Sequence, residues 1–506
     1  MKTHPPLKLL IAASEAIPYA KTGGLADVAG ALPREFAKMG QDVILLIPAY
    51  QCLGNSGRTF REVARVPVHT FQESSQAIIE EDVVTAGPSG TVLRVWAVRH
   101  DGYFGRPGLY QENGTDYPDN LQRFVWFCRA IVEVIVYLRR ERHWATDLLH
   151  LHDWQTALCA VYLKTIDRNR QELQEVRTLL TLHNTGYQGI FPGDQFHRTG
   201  LPSGLFGMQG LEFFGSVNLL KGGVIFSDFL TTVSPTYAGE ILTPAFGFGL
   251  EGVLQNRKGQ LQGIVNGIDT ETWNPATDPF LPARYTVQDR RGKAVCKVSL
   301  QREFALPQVD VPLLAVIARL TAQKGIDLLE SIIPQLMRMD LQLVMLGVGD
   351  PALEVRLKTL QAHYSDRMGV RIGFDEELAH RIEGGADIFV MPSRYEPCGL
   401  SQLYSLRYGT VPVVTKTGGL ADTVVPLNVR TREADRATGF HVLEGTEEAL
   451  LQALRQAVDV YQNRTLWDRL VQRGMKEDVS WQRSAQAYLE LFERLVLESG
   501  AKSEGD

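Results

Sequence analysis

The chain has few cysteines and no long apolar stretch. Its 506 residues include five cysteines, an odd number, and no two of them have the C-x-x-C spacing. This pattern favours neither a disulfide framework nor a zinc site, and it indicates a reducing cytoplasm. No apolar run is as long as a membrane span, so we expect no membrane partner. The first residues, MKTHPPLKLLIAASEA, lack a signal-peptide cleavage pattern and are better interpreted as leading into a first strand.

An excess of basic residues is also missing. The chain has 52 Lys and Arg against 58 Asp and Glu, which gives a net charge of −6. A nucleic acid or a membrane surface would require a basic face, so we expect neither, and a neutral, polyol-like partner fits better. The composition, 44% hydrophobic and 22% charged, is that of a globular protein. The length predicts roughly two to four domains, each with its own core.

Three motifs that bind phosphates or metals are not found where they would act. No G-x-G-x-x-G follows the first predicted strand, and there is no G-x-x-x-x-G-K-[ST], which weakens dinucleotide redox chemistry and P-loop phosphoryl transfer as functions. Gly247–Gly252 matches G-x-G-x-x-G, but no strand leads into it. The chain contains no D-x-D string, so no metal is expected. Cationic side chains and helix N-termini would have to hold any diphosphate.

Apolar runs alternate with helical patterns in both halves of the chain. The first half has predicted strands at Lys8–Ala13, Val43–Ile47, Leu148–His152 and Thr178–His183, and the second at Leu313–Ala318, Gln342–Leu346, Val370–Ile372, Ile388–Met391 and Val411–Thr415. This alternation predicts an α/β protein with two doubly wound domains, which we place at residues 1–262 and 263–480. We interpret Trp273–Arg284, which contains three prolines, as a linker, and Glu447–Ser499 as helical.

The heptapeptide K-T-G-G-L-A-D occurs twice, at Lys21–Asp27 and at Lys416–Asp422, each time just after a predicted strand. Backbone N–H groups at a glycine-rich helix start can form an anion site, so we predict two phosphate-binding loops. Either copy alone is slightly better explained as a turn whose glycines adopt positive φ. The repetition favours function. Glu396 lies at a predicted loop-to-helix junction nearby, so we expect this carboxylate and the second glycine loop to share one rim.

Several polar residues come directly after predicted strands, where open α/β sheets bind ligands. Arg319 and Lys324 together suit a diphosphate, although an arbitrary pair of this kind is more often part of a solvated loop. Asp153 and His183 suit a sugar, whose hydroxyl groups need partners, and the alternative is a structural hydrogen bond. Asn266 is about equally well explained as a turn residue with left-handed backbone.

Seven motifs then follow one another along the chain: KTGGLADV at Lys21, HDWQ at His152, HNTGYQG at His183, VSPTYA at Val233, VNGID at Val265, ARLTAQKG at Ala318 and YEPCGLSQL at Tyr395. Taken in this order they resemble the bacterial glycogen synthases and plant starch synthases, from about residue 8 to about residue 480. The resemblance implies the GT-B fold, two Rossmann-like domains with the active site in the cleft between them. It also implies a C-terminal helix, residues 481–506, that crosses back to the first domain.

The same resemblance implies a retaining glucosyltransferase that moves glucose from ADP-glucose to the non-reducing end of an α-1,4-glucan, without cofactor or metal. The first domain would bind the acceptor and the second the nucleotide sugar. The residues implied as catalytic are Glu396, His183, Lys324 and Arg319. Those implied as substrate-binding are Lys21, Gly23, Gly24, Asp27, Asp153, Asn266, Phe374, Cys398, Gly399, Leu400, Thr417, Gly418 and Gly419. The E-x7-E pattern of the wider group would put a second carboxylate at Tyr404, and this departure leaves the contact to the base or ribose open.

Alternative functions remain at this point. A UDP-sugar-dependent enzyme could share the fold, and so could a phosphorylase-like enzyme, which would need a lysine for pyridoxal phosphate. A non-catalytic glucan-binding protein belongs to a different class, but it would have little reason to keep Glu396, Arg319, Lys324 and both glycine loops together. Retention could arise by front-face attack or through a covalent intermediate, and since no residue is indicated as a nucleophile we favour front-face attack.

Overall fold

The computed structural model describes residues 5–87 and 90–503, so residues 504–506 of the predicted C-terminal helix lie outside the described residues. The chain divides into two compact units. The first unit contains the residues up to Val233, Ala238–Ile264 and the residues from Trp481 onward. The second unit contains Ser234–Tyr237 and Val265–Ser480. The chain therefore passes from one unit to the other near residues 234, 238, 265 and 481.

The strands of the first unit are β1 Lys8–Ala12, β2 Asp42–Pro48, β3 Arg61–His69, β4 Ser74–Thr85, β5 Val92–Arg99, β6 Gln111–Glu112, β7 Thr115–Asp116, β8 Leu148–His152, β9 Arg177–Leu182, β10 Ile190–Pro192, β11 Glu212–Phe213, β12 Ser216–Asn218, β13 Phe229–Thr232 and β14 Leu261–Gly263. The helices that follow in chain order are α1 Gly24–Lys38, α2 Asp101–Phe104, α3 Asn120–Glu141, α4 Asp153–Lys164, α5 Leu219–Phe226, α6 Pro235–Glu240, which begins in the second unit, α7 Pro244–Gly247 and α8 Glu251–Asn256.

Nine of these strands form one sheet in the order β14-β13-β9-β8-β1-β2-β5-β4-β3. The strands from β14 to β5 are parallel, and β4 and β3 extend the sheet as antiparallel neighbours. The central strand β1 is an apolar run because both of its faces are covered, and Leu9 pairs with Val43 on one side and Leu148 on the other. The strand order reverses between β1 and β8. Ligands of open α/β sheets bind beyond the strand ends at such a point.

The second unit has six strands: β15 Leu313–Ile317, β16 Gln342–Gly347, β17 Met368–Ile372, β18 Ile388–Met391, β19 Val411–Thr415 and β20 Phe440–Val442. They form an all-parallel sheet in the order β17-β16-β15-β18-β19-β20. This is the Rossmann order 3-2-1-4-5-6, and its reversal lies between β15 and β18. The helices are α9 Arg291–Glu303, α10 Ile326–Leu336, α11 Pro351–His363, α12 Glu376–Gly385, α13 Ser401–Tyr408, α14 Gly418–Thr423, α15 Val429–Glu433, α16 Glu447–Gln462 and α17 Arg464–Lys476.

The last helix, α18 (Trp481–Ser503), belongs to the first unit. Its buried Phe492 packs on Phe36 of α1, with ring centroids 5.2 Å apart, and on His150 of β8 at 5.6 Å. Breaks at Asn463 and at residues 477–480 divide the stretch predicted as helical, Glu447–Ser499, into α16, α17 and α18. Among the described residues, no helix is both long enough and apolar enough to cross a membrane.

The stretch predicted as a linker, Trp273–Arg284, is instead a packed loop of the second unit. The ring of Trp273 is stacked between His380 and Tyr404, with both centroid distances 3.8 Å. The carboxylate of Asp278 is buried and accepts hydrogen bonds from the Tyr408 hydroxyl (2.5 Å) and from His380 Nδ1 (2.8 Å). The linker prediction is wrong, because the prolines belong to a loop that packs against the rest of the second unit. The buried carboxylate of this loop, that of Asp278, is hydrogen-bonded by Tyr408 and His380, which are distant in the sequence.

Candidate active site

The two loops that carry Lys324 and Glu396 meet at the reversal point of the second sheet. Lys324 follows β15 and Glu396 follows β18. The Lys324 Nζ lies 2.5 Å from Glu396 Oε2, and the Ser393 hydroxyl donates to the same oxygen over 3.1 Å. The two charged side chains are 19% and 8% exposed. The loops approach so closely that a Cβ on Gly325 would lie 2.0 Å from the carbonyl oxygen of Pro392. A mostly buried ion pair therefore stands where the fold is expected to bind its ligand.

Arg319 precedes this ion pair in the same loop and is exposed. Its guanidinium donates to the side chain of Gln323 over 3.4 Å, a long bond to a neutral group. The expected pair of cations is thus present after β15, with Lys324 bound to a carboxylate and Arg319 directed toward solvent.

The second glycine loop lies directly against the backbone of Glu396. The N–H of Gly419 donates to the carbonyls of Glu396 and Pro397, both at 3.1 Å. Gly418 has φ +42°, and a Cβ at this position would lie 2.0 Å from the Glu396 carbonyl oxygen, so only glycine fits here. The carboxylate and the glycine loop share one rim, as expected from the sequence. Because the Gly419 N–H already bonds to protein, the phosphate-binding role of Thr417, Gly418 and Gly419 stays a prediction.

A short segment from the VSPTYA motif supports this rim. The Ser234 hydroxyl donates to the carbonyl of Pro397 over 2.8 Å. The backbone N–H and hydroxyl of Thr236 donate to the carboxylate of Asp422 over 2.8 and 2.7 Å. These residues belong to the second unit although they precede its main part by about thirty residues. Their connection with Glu396 could not be predicted, because hydrogen-bond partners so far apart in the chain leave no local sequence pattern.

The residues after Glu396 are largely enclosed. Burial raises the pKa of the Cys398 thiol to about 12, and the backbone N–H of Asn266 faces the same thiol, so this cysteine is neutral. Asn266 is itself buried, and its Oδ1 has no hydrogen-bond partner among the described residues. An unpaired buried acceptor is costly and is a natural contact for a ligand hydroxyl. Gly399 and Leu400 are half-buried beside Cys398, whereas Phe374 follows β17 and is 83% exposed.

In the first unit, the carboxylate of Glu15 occupies the first glycine loop. It accepts hydrogen bonds from the Thr22 N–H (2.5 Å), the Thr22 hydroxyl (2.6 Å), the Gly23 N–H (3.2 Å) and the Tyr110 hydroxyl (2.7 Å). The N–H groups expected to cradle a phosphate are thus already bound to an anionic side chain. Glu15 was not predicted as a site residue, although its place just after β1 was an available signal. The binding roles of Gly23 and Gly24 stay predictions.

Lys21 lies next to this loop. Its ammonium forms an ion pair of 2.8 Å with Asp27, and the two side chains are 45% and 17% exposed. The pair fixes the start of α1, since Asp27 also lies in the first turn of that helix. Lys21 remains accessible to an anion, and Asp27 positions it.

Across the reversal point from β1, the ends of β8 and β9 bring Asp153 and His183 together. Asp153 has φ +55°, and its Oδ1 accepts a hydrogen bond of 2.7 Å from the His183 N–H. Desolvation raises the pKa of Asp153 to about 7, and the nearby charge of Glu15 adds to this effect. His183 Nε2 lies 2.9 Å from His152 Nδ1. Burial lowers the pKa of His183 to about 3 and that of His152 well below its usual range, so both imidazoles are neutral near pH 7. They can bind hydroxyl groups without carrying charge.

The sequence-predicted residues thus form two groups. In the second unit, Arg319, Lys324, Glu396, Cys398 and the second glycine loop lie around one reversal point. In the first unit, Lys21, Asp27, Asp153 and His183 lie around the other. Within residues 5–87 and 90–503, no group of three or more His, Cys, Asp and Glu side chains could hold a metal ion.

Comparison with known proteins identifies the family. The family model of the starch synthase catalytic domain matches residues 8–256, and that of the group 1 glycosyl transferases matches residues 299–473. A glycogen synthase of Anaeromyxobacter dehalogenans is 45% identical over 492 residues, which are 97% of this chain and 100% of that protein. The chain belongs to the glycogen and starch synthase family.

A solved member of the glycogen and starch synthase family has the same fold. The catalytic domain of starch synthase IV from Arabidopsis thaliana, bound to ADP and acarbose, matches 97% of this chain with a TM-score of 0.87 and 33% identity. A sucrose-phosphate synthase of Thermosynechococcus elongatus matches with a TM-score of 0.58 at 18% identity, which shows the fold alone. The predicted GT-B fold with two Rossmann-like domains is confirmed, and the chain is a glucosyltransferase of this family.

Proposed function

We propose that the chain transfers glucose from ADP-glucose to the non-reducing end of an α-1,4-glucan, with retention of configuration at the anomeric carbon. The observation that carries the proposal is the Lys324–Glu396 ion pair at the reversal point of a Rossmann sheet, in a chain of the glycogen and starch synthase family. ADP as the nucleotide is supported by the starch synthase IV relative, which was solved with ADP bound.

In this proposal the second unit, the predicted domain 263–480, binds the donor. Arg319 and Lys324 hold the diphosphate, and Glu396 binds the hydroxyl groups of the donor glucose. Because Lys324 touches Glu396 in the structure, its ammonium would be shared between the carboxylate and the arriving diphosphate. Asn266 offers the sugar its Oδ1, which has no hydrogen-bond partner in the part of the chain that the structure describes. The remaining contacts come from Cys398, Gly399 and Leu400 beside the glucose, Thr417, Gly418 and Gly419 toward the phosphates, and Phe374 near the base.

The first unit, the predicted domain 1–262, contributes the acceptor side and one more cation. Lys21, steadied by Asp27, approaches the phosphates together with Gly23 and Gly24. His183 and Asp153 contact the reacting sugar. His183 is neutral near pH 7, so it acts as a hydrogen-bond partner and not as a charged acid.

The reaction then follows from the movement of charge. The bond between the anomeric carbon and the phosphate oxygen breaks, which leaves an oxocarbenium-like sugar and adds negative charge to the diphosphate. Arg319, Lys324 and Lys21 stabilise that charge, and the loss of one such preorganised group costs about 3 kcal/mol, roughly 10²-fold in rate. The 4-hydroxyl of the glucan attacks the same face and gives its proton to the leaving phosphate. Exclusion of water limits hydrolysis of the donor.

The test is the transfer of labelled glucose to glycogen, from ADP-glucose and in parallel from UDP-glucose, without added metal. We expect incorporation from ADP-glucose, released again by an exo-hydrolase specific for α-1,4 bonds. Incorporation from UDP-glucose alone would show that the proposed donor is wrong. If a folded protein binds glycogen but transfers from neither donor, it is a binding protein and not an enzyme.

A further inference from the structure

The carboxylate of Glu15 is buried under the first glycine loop, where Glu15 is only 4% exposed. Its Oε2 accepts hydrogen bonds from the N–H groups of Thr22 (2.5 Å) and Gly23 (3.2 Å). Its Oε1 accepts from the hydroxyl groups of Thr22 (2.6 Å) and Tyr110 (2.7 Å). All four donors are neutral groups. Because burial of an ionised carboxylate is costly, these four bonds hold the loop at an expense in desolvation.

The residues that Glu15 holds lie at the surface. Thr22 and Gly23 are both exposed, as is Lys21 before them. On the other side of Lys21, the N–H of Ala20 donates to the carbonyl of Ala16 over 2.9 Å, and the N–H of Ala16 donates to the carbonyl of Ala20 over 3.1 Å. The main chain of Lys21 therefore lies between two fixed residues. Surface loops are usually more mobile than this.

The same segment is also fixed to α1. The N–H of Ile17 donates to the carbonyl of Ala26 over 3.0 Å. The packing is close, because a Cβ on Gly30 would lie 2.4 Å from Ile17 Cγ1 and 2.6 Å from the Ile17 carbonyl oxygen. Asp27, the next residue of this helix, forms the ion pair of 2.8 Å with the Lys21 ammonium. The main chain of Lys21 and the partner of its ammonium are thus held together.

We infer that Glu15 is a positioning residue that places Lys21 for the transfer reaction. The inference rests on the proposed function, in which Lys21 stabilises the charge that develops on the leaving diphosphate. A cation does this best when it is held in place before the reaction, and an error of about 1 Å can cost roughly 10²-fold in rate. The Thr22 and Gly23 N–H groups stay bonded to Glu15, and the loop offers the phosphates the charge of Lys21.

Glutamine can replace Glu15 without loosening the loop. The two main-chain N–H groups share Oε2, and the two hydroxyl groups share Oε1. A glutamine oxygen can accept from both N–H groups, while its amide nitrogen donates to the hydroxyl oxygens of Thr22 and Tyr110. Tyr110 can then donate its own proton to the Ser14 hydroxyl, 2.7 Å away. Alanine removes all four bonds, so Glu15→Gln and Glu15→Ala separate the position of the loop from the charge of the carboxylate.

The main measurement is glucose transfer from ADP-glucose by Glu15→Ala, Glu15→Gln, Lys21→Ala and the double variant of Glu15→Ala with Lys21→Ala. Glu15→Ala should lower kcat by roughly 10–10²-fold and change the KM for ADP-glucose little, because the misplaced cation acts mainly on the leaving group. Glu15→Gln should retain most of the wild-type kcat. Because Glu15 acts through Lys21, Glu15→Ala should lower kcat no further when Lys21 is already alanine.

Hydrogen exchange of the Thr22 and Gly23 amides tests the loop without turnover. Both amides should exchange roughly tenfold faster or more in Glu15→Ala, and at the wild-type rate in Glu15→Gln. The matched control is Asp228→Ala. Asp228 also accepts from the N–H and the hydroxyl of one threonine, Thr178, over 2.8 and 2.9 Å, but at the start of β9 and so at the opposite edge of the sheet. This variant should lower the melting temperature and leave kcat unchanged.

Three results would overturn the inference while leaving the proposed function intact. The first is unchanged amide exchange in Glu15→Ala. The second is faster exchange in that variant with kcat close to that of wild type. The third is a further loss of kcat in the Lys21→Ala background as large as the loss in wild type. A wild-type protein that transfers glucose from neither ADP-glucose nor UDP-glucose would instead refute the proposed function, and the inference with it.

Discussion

Glu396→Gln is the sharpest test of the proposed donor site. The substitution keeps the size of the side chain and removes the charge that lies 2.5 Å from Lys324. Turnover should fall by roughly 10²–10³-fold, because the carboxylate no longer orients the donor sugar against the leaving group. ADP should bind at least as tightly as to wild type, because the Lys324 ammonium is released from its partner and becomes available to the diphosphate. Lys324→Met should instead weaken ADP binding.

The energy of the pair sets the scale of the effect on stability. Two unit charges 2.5 Å apart attract by about 7 kcal/mol at an effective dielectric constant near 20, before desolvation is subtracted. Breaking a fully buried pair costs about 3–5 kcal/mol, and an exposed pair contributes about 0–1 kcal/mol. With Lys324 at 19% and Glu396 at 8% exposure, we expect an intermediate coupling of about 1–2 kcal/mol. Lys324→Met should destabilise more than Glu396→Gln, since the lysine can turn to solvent and the carboxylate cannot.

The assay combines urea unfolding, ADP titration and single-turnover transfer for wild type, both single variants and the double variant. The control is a second ion pair of the same unit, Arg356–Glu330, which joins α11 to α10 at 2.6 Å with Arg356 half exposed. Its double-mutant cycle should give less than about 0.5 kcal/mol and no change in turnover. Glu396→Gln with turnover within tenfold of wild type would refute the proposed role, and so would a loss of ADP affinity as large as that of Lys324→Met.

Two further predictions concern the second unit. Burial raises the pKa of Glu383 to about 8, so the folded state keeps a proton that the unfolded state loses above about pH 4.5, and stability should fall as pH rises between these values. Wild type should lose about 3–5 kcal/mol of unfolding free energy between pH 4.5 and pH 8. Glu383→Gln should abolish this pH dependence, so at pH 8 the variant should unfold at a higher urea concentration than wild type. Parallel curves of stability against pH for the two proteins would contradict the argument. Gly418→Ala should lower stability by about 2–3 kcal/mol in thermal melting, because its Cβ would meet the Glu396 carbonyl oxygen, whereas Gly445→Ala, with nothing within 4 Å, should have little effect.

The sequence predicted the parallel strands well, because a strand covered on both faces is a continuous apolar run with clear ends. Leu148–His152, Ile388–Met391 and Val411–Thr415 were predicted with the bounds that the structure has. Helix boundaries were less accurate. The stretch predicted as helical, Glu447–Ser499, begins where the structure has it but is divided into α16, α17 and α18.

Contacts between residues that are far apart in the chain could not be predicted from the sequence. The antiparallel strands β3 and β4 were not predicted, since their half-buried faces give a weak apolar pattern. Lys324 and Glu396 were each chosen for a ligand, yet the structure pairs them across 72 positions of sequence. Glu15 was not chosen at all, although it accepts four hydrogen bonds around the first glycine loop. The sequence shows the identity of each of these residues, but it does not show which residue each one contacts.

The two copies of KTGGLAD also show that contacts do not follow from the local sequence, because identical residues have different partners in the two copies. In the first copy Asp27 pairs with Lys21, and a carboxylate from outside the motif, Glu15, accepts from the loop N–H groups. In the second copy Asp422 accepts from Thr236, and the Gly419 N–H bonds to the main chain of Glu396. Both copies lead into a helix, α1 and α14, but the backbone approaches closely only in the second. A Cβ on Gly418 would lie 2.0 Å from the Glu396 carbonyl oxygen, whereas no described atom lies within 4 Å of a Cβ on Gly23 or Gly24. The residues packed against each copy therefore decide its surroundings. In the first copy they leave Lys21 partly exposed beside Asp27, and in the second they hold the loop that carries Glu396.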